Sequence, residues 1–302
     1  MQLEDHVTTL GSHLKSRFGA RVRKLSLHVG FTCPNRDGTL GRGGCTFCSV
    51  RSFNEDDPGA SIGEQLVKGR ARTARAERYL AYFQAYTSTY AEVEELRRLY
   101  EEALAQADIV GLCVGTRPDC VPDAVLEILA GYRERGYEVW LELGLQSAHE
   151  ATLALINRGH GFAAYADAVT RAYRYGVPVC THLILGLPGE TPAMMLDTHR
   201  QVLGCGVAGI KLHPLMIVKG ARMAAHYARG GLQPLAQEAY VETAAELIRR
   251  TPREVIFHRV TATARPPTLI APDWCRTRWS AAQALCAELA RDGGQGSYLK
   301  GA

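Results

Sequence analysis

Cys33, Cys45 and Cys48 fall in the run GFTCPNRDGTLGRGGCTFCSV, so three thiols come from one short, turn-rich loop. The loop follows an apolar, strand-like segment at 24–30, and its last two thiols form CxxC with the aromatic Phe47 between them. Thiolates are soft ligands that suit iron–sulfur clusters, which usually take four of them, and zinc. A local set of three would leave one iron of a cubane open to a small molecule. An open coordination position marks a catalytic rather than a structural metal site. With His28 or another residue as a fourth ligand, the same thiols would instead make a closed structural zinc site such as Cys3His.

The elements around the loop decide what it can serve. Strand-like runs at 24–30, 79–86, 109–115, 138–143, 177–185 and 209–215 alternate with amphipathic stretches at 91–107, 122–135, 148–156 with 162–175, and 192–203. This alternation predicts an α/β fold with a parallel sheet and right-handed crossovers. Six units are too few for a closed eight-fold barrel, so an open or partial barrel is expected. Each run ends in polar residues: the thiol loop (31–58) after the first, then QAYTS, GTRPDC, ELGLQS, LGLPGE and HPL. Ligands of parallel α/β folds gather beyond the carboxyl ends of the strands, so these segments should converge on one mouth. After residue 220 the pattern changes to a helix at 234–250, a β-rich run at 254–261, a proline-containing turn at 265–267 and a helix at 280–291. We expect a barrel domain over 1–220 and a small C-terminal α/β extension over 221–302 packed on it.

Bulk properties narrow the class. The chain has 302 residues, 46% hydrophobic and 22% charged, an ordinary globular composition. It has no apolar stretch long enough for a bilayer, and its N-terminus lacks the features of a secretory signal. A cytoplasmic protein without a membrane partner is expected. Nine cysteines, an odd number, fit a disulfide framework poorly at this length. Outside the loop, Cys113, Cys120, Cys180, Cys205, Cys275 and Cys286 lack CxxC spacing and read mostly as small buried hydrophobes. Cys275, in PDWCRTRW, is a candidate substrate-side thiol. The net charge of +4 permits nucleic-acid affinity without demanding it. Arg72, Arg75 and Arg78 would share the face of one helix, read as a solvated surface.

On these residues the chain resembles the radical S-adenosylmethionine (SAM) superfamily. It is most similar to the branch of the elongator catalytic subunit and the methylthiotransferases, and within it to the YhcC-like subfamily, whose loop reads much like CPNRDGTLGRGGCTFC. The superfamily spacing is CxxxCxxC. Here eleven residues separate Cys33 from Cys45, a segment that elongator-like enzymes also lengthen. The resemblance covers about 24–220 and implies a partial (β/α)6 TIM-like barrel of radical SAM type, with a [4Fe-4S] cluster on Cys33, Cys45 and Cys48 and SAM on its open iron. Phe47 matches an aromatic near the adenine. GTRPD (115–119) resembles the branch's ETRPD, and LELGLQS with NRGH (141–147, 157–160) resembles its ELGVQS and RGH. Glu142 and Gln146 would then contact the ribose or amino-acid part of SAM, and Arg158 its carboxylate. HLILGLPGE (182–190) resembles the fifth-strand motif of the adenine site, which places Gly186 and Leu187 there and makes His182 a polar ribose contact. The usual second-strand GGE is replaced by QAYTS, so Gln84, Tyr86 or Thr87 would take its role.

The implied activity is reductive cleavage of SAM to methionine and a 5′-deoxyadenosyl radical, with an electron donor such as flavodoxin or ferredoxin. Lys211 and His213 alternate on the sixth strand and are candidate substrate-side groups. Arg117 and Asp119 either cap a βα turn by pairing or act on a ligand. The elongator resemblance makes tRNA the first substrate class, while a metabolite or a protein side chain fits a barrel equally well. A non-catalytic iron–sulfur protein for electron transfer or redox sensing, and a structural zinc protein, remain open on the residues alone.

Overall fold

The structure, a computed structural model, describes residues 2–49, 59–73, 76–277 and 279–299; residues 50–58 of the expected thiol loop and Arg75 lie outside them. Its frame is a parallel sheet that begins with β1 (Val22–Leu27), β2 (Arg78–Phe83), β3 (Ile109–Thr116), β4 (Glu138–Gln146), β5 (Val179–Leu185) and β6 (Gly209–Pro214), neighbours in chain order. After these, β7 (Ile217–Val218) leaves the sheet, β8 (Ile256–Arg259) joins it beside β6, and β9 (Leu269–Ala271) pairs antiparallel with β7. The six expected strands are present with ends shifted by up to three residues. The sheet has seven strands, however, because the run at 254–261 rejoins it as β8 instead of belonging only to an outer extension. Residue 220, expected to end the barrel, falls between β7 and the next helix.

The helices are α1 (Leu10–Phe18), α2 (Pro34–Asp37), α3 (Ile62–Ala71), α4 (Val93–Leu104), α5 (Asp123–Glu134), α6 (Glu150–Leu155), α7 (Phe162–Arg174), α8 (Pro192–Gly204), α9 (Arg222–Ala228), α10 (Gln237–Arg249) and α11 (Ser280–Asp292). Their faces follow the 3.6 period: α4 buries Leu96, Leu99, Tyr100, Ala103 and Leu104 and exposes its charges. Local signals fix the ends. Thr191 caps α8 by accepting from the Met194 N–H, with Pro192 at the first helical position, where its missing N–H costs nothing. The basic stripe does not form one helix face, since α3 ends at Ala71 and Arg78 opens β2.

Strand alternation sorts the sheet into two sides. Ala81 and Phe83 on β2, Leu141 and Leu143 on β4, and Ile210 and Leu212 on β6 pack in the main core with the helices. The opposite residues point into the concave side. There Leu80, Tyr82, Cys113, Trp140, Cys180 and Ile256 form a second cluster, closed from below by Leu10 and Leu14 of α1. That plug, absent from the sequence expectations, sends later inward positions upward into an open chamber. Among the described residues no helix is long and apolar enough to cross a membrane.

Candidate active site

Cys33, six residues beyond β1, and Cys45, with eleven residues between them, are held by three other strand-end motifs. The Asn35 amide donates to the Asn157 carbonyl at 2.6 Å, the Asn157 amide donates to the Gly44 carbonyl at 2.8 Å, and the Thr46 N–H donates to the Ile156 carbonyl at 2.9 Å. Arg117 is buried, bonds both oxygens of Asp119 at 2.9 and 2.8 Å, and donates to the Arg158 carbonyl at 2.8 Å. Its pairing with Asp119 therefore has a structural purpose: it locks the third-strand motif under the fourth. Ser147 donates to Glu190, tying the fourth motif to the fifth. From the C-terminal part, Arg222 donates to the Gly44 carbonyl at 2.6 Å and the Met223 N–H to the Thr46 carbonyl at 2.8 Å.

The three thiols are free and line one cavity of about 520 Å³, within the usual size of small-molecule sites. Sulfur receives hydrogen bonds: Arg158 Nη1 lies 3.3 Å and Asn35 Nδ2 3.7 Å from Cys45 Sγ. Burial and the neighbouring Cys45 push the Cys48 thiol up, while Arg36 and Arg158 pull it down. Three soft donors with cationic and amide support fit an iron–sulfur cluster. His28 is not among the cavity-lining residues, and among the described residues no three His, Cys, Asp or Glu side chains converge as the ligands of one ion would.

The cavity also gathers most of the other expected residues. Phe47, Gln84, Thr87, Glu142, Gln146, Arg158, His182, Lys211 and His213 all line it. Gly186 and Leu187 do not: Leu187 is buried in an apolar cluster with Ile184 and Leu215, against which Phe47 packs. A Cβ at Gly186, whose φ is +86°, would meet Leu235 at 2.7 Å, so this glycine answers to packing and turn geometry. Cys275 is buried and does not line the cavity, and burial pushes its thiol up to about 12. Tyr86 and Gln146 hold φ of +63° and +80° at strand ends facing the cavity, conformations that are uncommon for non-glycine residues and cluster at functional sites. Thr87 is fully buried, and its hydroxyl has no partner among the described residues.

Glu142 sits in the middle of β4 rather than at its end, fully buried, and five side chains converge on it. Lys24 and His258 (3.2 Å) reach Oε1; Tyr82 (2.8 Å), His182 (2.6 Å) and Lys211 (3.0 Å) reach Oε2. The SAM contact that the resemblance implies for Glu142 would have to displace one of these. Burial alone would raise its carboxyl, but Lys211 and Lys24, with hydrogen bonds from His182 and His258, hold it well below the usual carboxylate range. Burial drives Lys211 down to about 8 against the pull of Glu142, with Arg259 and Lys24 adding to the drop. Burial also opposes the Lys24 charge, yet Cys113 and Glu142 outweigh it and its pKa is raised. The Cys113 thiol is itself pushed up to about 12 and stays neutral, so Glu142 is the partner that matters. Burial, with Lys211 and Lys24 nearby, takes His182 to about 4 and His258 to about 3, so both rings are neutral near pH 7.

Arg158 is committed as well. Its Nε and Nη2 donate to the Gly144 carbonyl at 3.2 and 2.5 Å, and its Nη1 faces Cys45. A carboxylate would find only its remaining N–H groups. The sequence reading missed Lys24, Tyr82, His258 and Arg259. Their one signal was a polar residue at an inward position of an otherwise apolar strand.

The family profile of the Radical SAM superfamily matches residues 32–202, and that of the Radical SAM C-terminal domain matches 207–291. The chain is 57% identical over 300 residues to Protein YhcC of Escherichia coli (strain K12), covering 99% of this chain and 97% of that one. It is 30% identical over 172 residues to a tRNA uridine(34) acetyltransferase of Dehalococcoides mccartyi, covering 56% of this chain and 36% of the other. Among solved structures, an archaeal Methanocaldococcus infernus Elp3 shares the fold with a TM-score of 0.57 at 18% identity, over 78% of this chain and 55% of that one.

Proposed function

Because the chain belongs to the radical SAM superfamily, matched over residues 32–202, we propose that it cleaves SAM reductively at the mouth of its barrel and uses the radical on a substrate held inside. The family's cofactors are a [4Fe-4S] cluster and SAM. One observation carries the reading: three free thiols open onto the same cavity as the end segments of β2, β3, β4 and β6 and the inward residues His182 and Ile184 of β5. Cys33, Cys45 and Cys48 would hold the cluster, which supplies the single electron that breaks a sulfonium C–S bond.

The chain's own residues bind, orient and exclude. Arg158 and Asn35 hydrogen-bond to the Cys45 sulfur and so tune the metal centre's potential. Gln84, Thr87 and Gln146 offer polar groups to the amino-acid and ribose parts of SAM, and Phe47 a face for its adenine. Below them the sheet and the α1 plug keep bulk water from a reactive intermediate.

We further propose tRNA as the substrate class, supported by sequence likeness to a tRNA uridine(34) acetyltransferase, with flavodoxin or ferredoxin as electron donor in the cytoplasm. Anaerobic reconstitution should bind about four irons and four sulfides per chain and yield 5′-deoxyadenosine with a reductant. Cys45→Ala should lose both; a Cys45→Ala protein that still cleaves SAM would sink the ligand assignment. For the substrate, mass spectrometry of tRNA nucleosides from a deletion strain should show a changed modification, and an unchanged profile would defeat the tRNA reading.

A further inference from the structure

We propose that Arg259, with Lys211 beside it, forms the anion-binding end of the chamber and anchors a carboxylate or phosphate group of the substrate. The inference rests on the reading of this cavity as the catalytic chamber. It starts from a local irregularity in β8. There Phe257 pairs with Ile210, but the next residue of β6, Lys211, is opposite Arg259, so His258 is an extra residue in the ladder. Such a bulge re-aims the side chains around it. Here His258 reaches Glu142 while Arg259 also lines the chamber, although adjacent residues of a regular strand face opposite sides.

Charge accounting then isolates Arg259. Glu142 is the only carboxylate among the described residues that line the chamber, and its oxygens are occupied by Lys24, Lys211, Tyr82, His182 and His258. Of the other lining cations, Arg117 is paired with Asp119, while Arg36 and Arg158 serve the thiol loop. The Arg259 side chain, at an exposed position opposite Lys211 in the ladder, has no hydrogen-bond or ion-pair partner among the described residues, and its charge lowers both Lys211 and His213. Lys211 uses two of its three protons, on Tyr82 and Glu142, and keeps one for a ligand.

An unpaired guanidinium at the exposed rim of the chamber, opposite Lys211 in the ladder, favours an anion, for which its planar fork is well shaped. Arg259 belongs to β8, while the thiol loop follows β1 and Arg158, which faces Cys45, follows β4, so the residues set at the cluster end do not include Arg259. A SAM carboxylate held by those residues would leave Arg259 for the substrate's own charge.

The test uses anaerobic, cluster-loaded protein with SAM present, so that the SAM end is filled, and inorganic phosphate and acetate as separate probes. Binding is read from 31P line broadening and from saturation transfer to the acetate methyl group. At least one anion should bind saturably to the wild type, and the two arms show which chemistry the site prefers. Arg259→Gln should weaken that anion about tenfold or more, as loss of a charged, forked contact would. Arg259→Lys, which keeps the charge, should recover part of the affinity and serves as a second variant should the first misfold. Equal affinity in wild type and Arg259→Gln, or no saturable binding of either anion to the wild type, would overturn the proposal. Failure of the wild type to form 5′-deoxyadenosine would instead count against the radical SAM reading, since anion binding is measured without turnover.

Discussion

Glu142→Gln keeps the shape of the buried side chain and removes its charge, leaving Lys24 and Lys211 facing each other with side-chain exposures of only 19% and 8%. Removing one partner of a buried ion pair costs about 3–5 kcal/mol. The amide also turns one acceptor oxygen into a donor among donors, and an unsatisfied buried group of that kind adds about 1–3 kcal/mol. One escape limits the total. Lys211 is already lowered to about 8, so shedding its proton at neutral pH takes only about 1 kcal/mol, and less once the carboxylate is gone. We therefore expect a loss of about 4 kcal/mol near pH 6, a large share of the ~5–15 kcal/mol typical of folded proteins.

The loss should shrink as pH rises. In the variant both lysines bind protons less readily in the folded state than in the unfolded chain, so raising pH toward 9 strips protons mainly from the folded protein and restores stability. The assay is anaerobic denaturant titration of cluster-loaded wild type and variant at pH 6.0, 7.5 and 9.0, followed by far-UV circular dichroism. Adding Lys211→Met to Glu142→Gln should recover part of the stability at pH 6. A loss below about 1 kcal/mol that does not change with pH would match an ordinary surface substitution and refute the buried network.

Three further outcomes follow from particular contacts. Arg158→Gln removes a cationic donor 3.3 Å from Cys45 Sγ and should make the cluster's midpoint potential more negative in an EPR-monitored redox titration; an unchanged potential would separate Arg158 from the metal centre. Burial, with Arg250 nearby, holds the His199 ring down to about 4, so as pH falls from about 6.5 the unfolded chain takes up a proton that the folded ring refuses; stability should drop across that window, and His199→Gln should flatten the drop in denaturant midpoint. Gly111→Ala would put a Cβ 1.8 Å from the Glu138 carbonyl oxygen, so the β3–β4 pairing must shift at a cost of about 3 kcal/mol, the upper end of typical overpacking; a wild-type denaturant midpoint would contradict this register.

The strands and their polar ends were legible because apolar runs, alternation and turn residues are local. So was the convergence on one mouth, which follows from parallel topology alone. What lay beyond the sequence was depth. Nothing in LELGLQS tells that β4 continues to Gln146 and leaves Glu142 at mid-strand, or that Lys24, 118 residues away, would occupy it. β8 was hidden for a related reason. It is only four residues long and follows a break in the strand–helix rhythm, so Ile256–Arg259 resembled part of an appendage until its register with β6 appeared. The α1 plug left only a weak trace: its inward face amounts to Leu10 and Leu14.

Those hidden elements together solve a problem that a seven-stranded barrel creates. A sheet of this kind is open between its first and last strands, and no ladder of hydrogen bonds joins β1 to β8. Below, α1 bridges the gap: Thr9 makes a parallel bridge to Phe257, and Leu10 and Leu14 pack with Val22 of β1 and Ile256 of β8. Higher up, the gap is spanned by charge. Lys24 of β1 and His258 of β8 lie 3.1 Å apart and share Glu142 Oε1, while Tyr82, His182 and Lys211 bring β2, β5 and β6 to the other oxygen. One carboxylate thus collects five strands, including both edges. Above that level no such tie is needed, and the chamber stays open where a ligand must enter. The buried network therefore accounts for two features at once: it holds the edges of an unclosed sheet together, and it uses up the chamber's sole described carboxylate, which leaves Arg259 without an internal counter-charge.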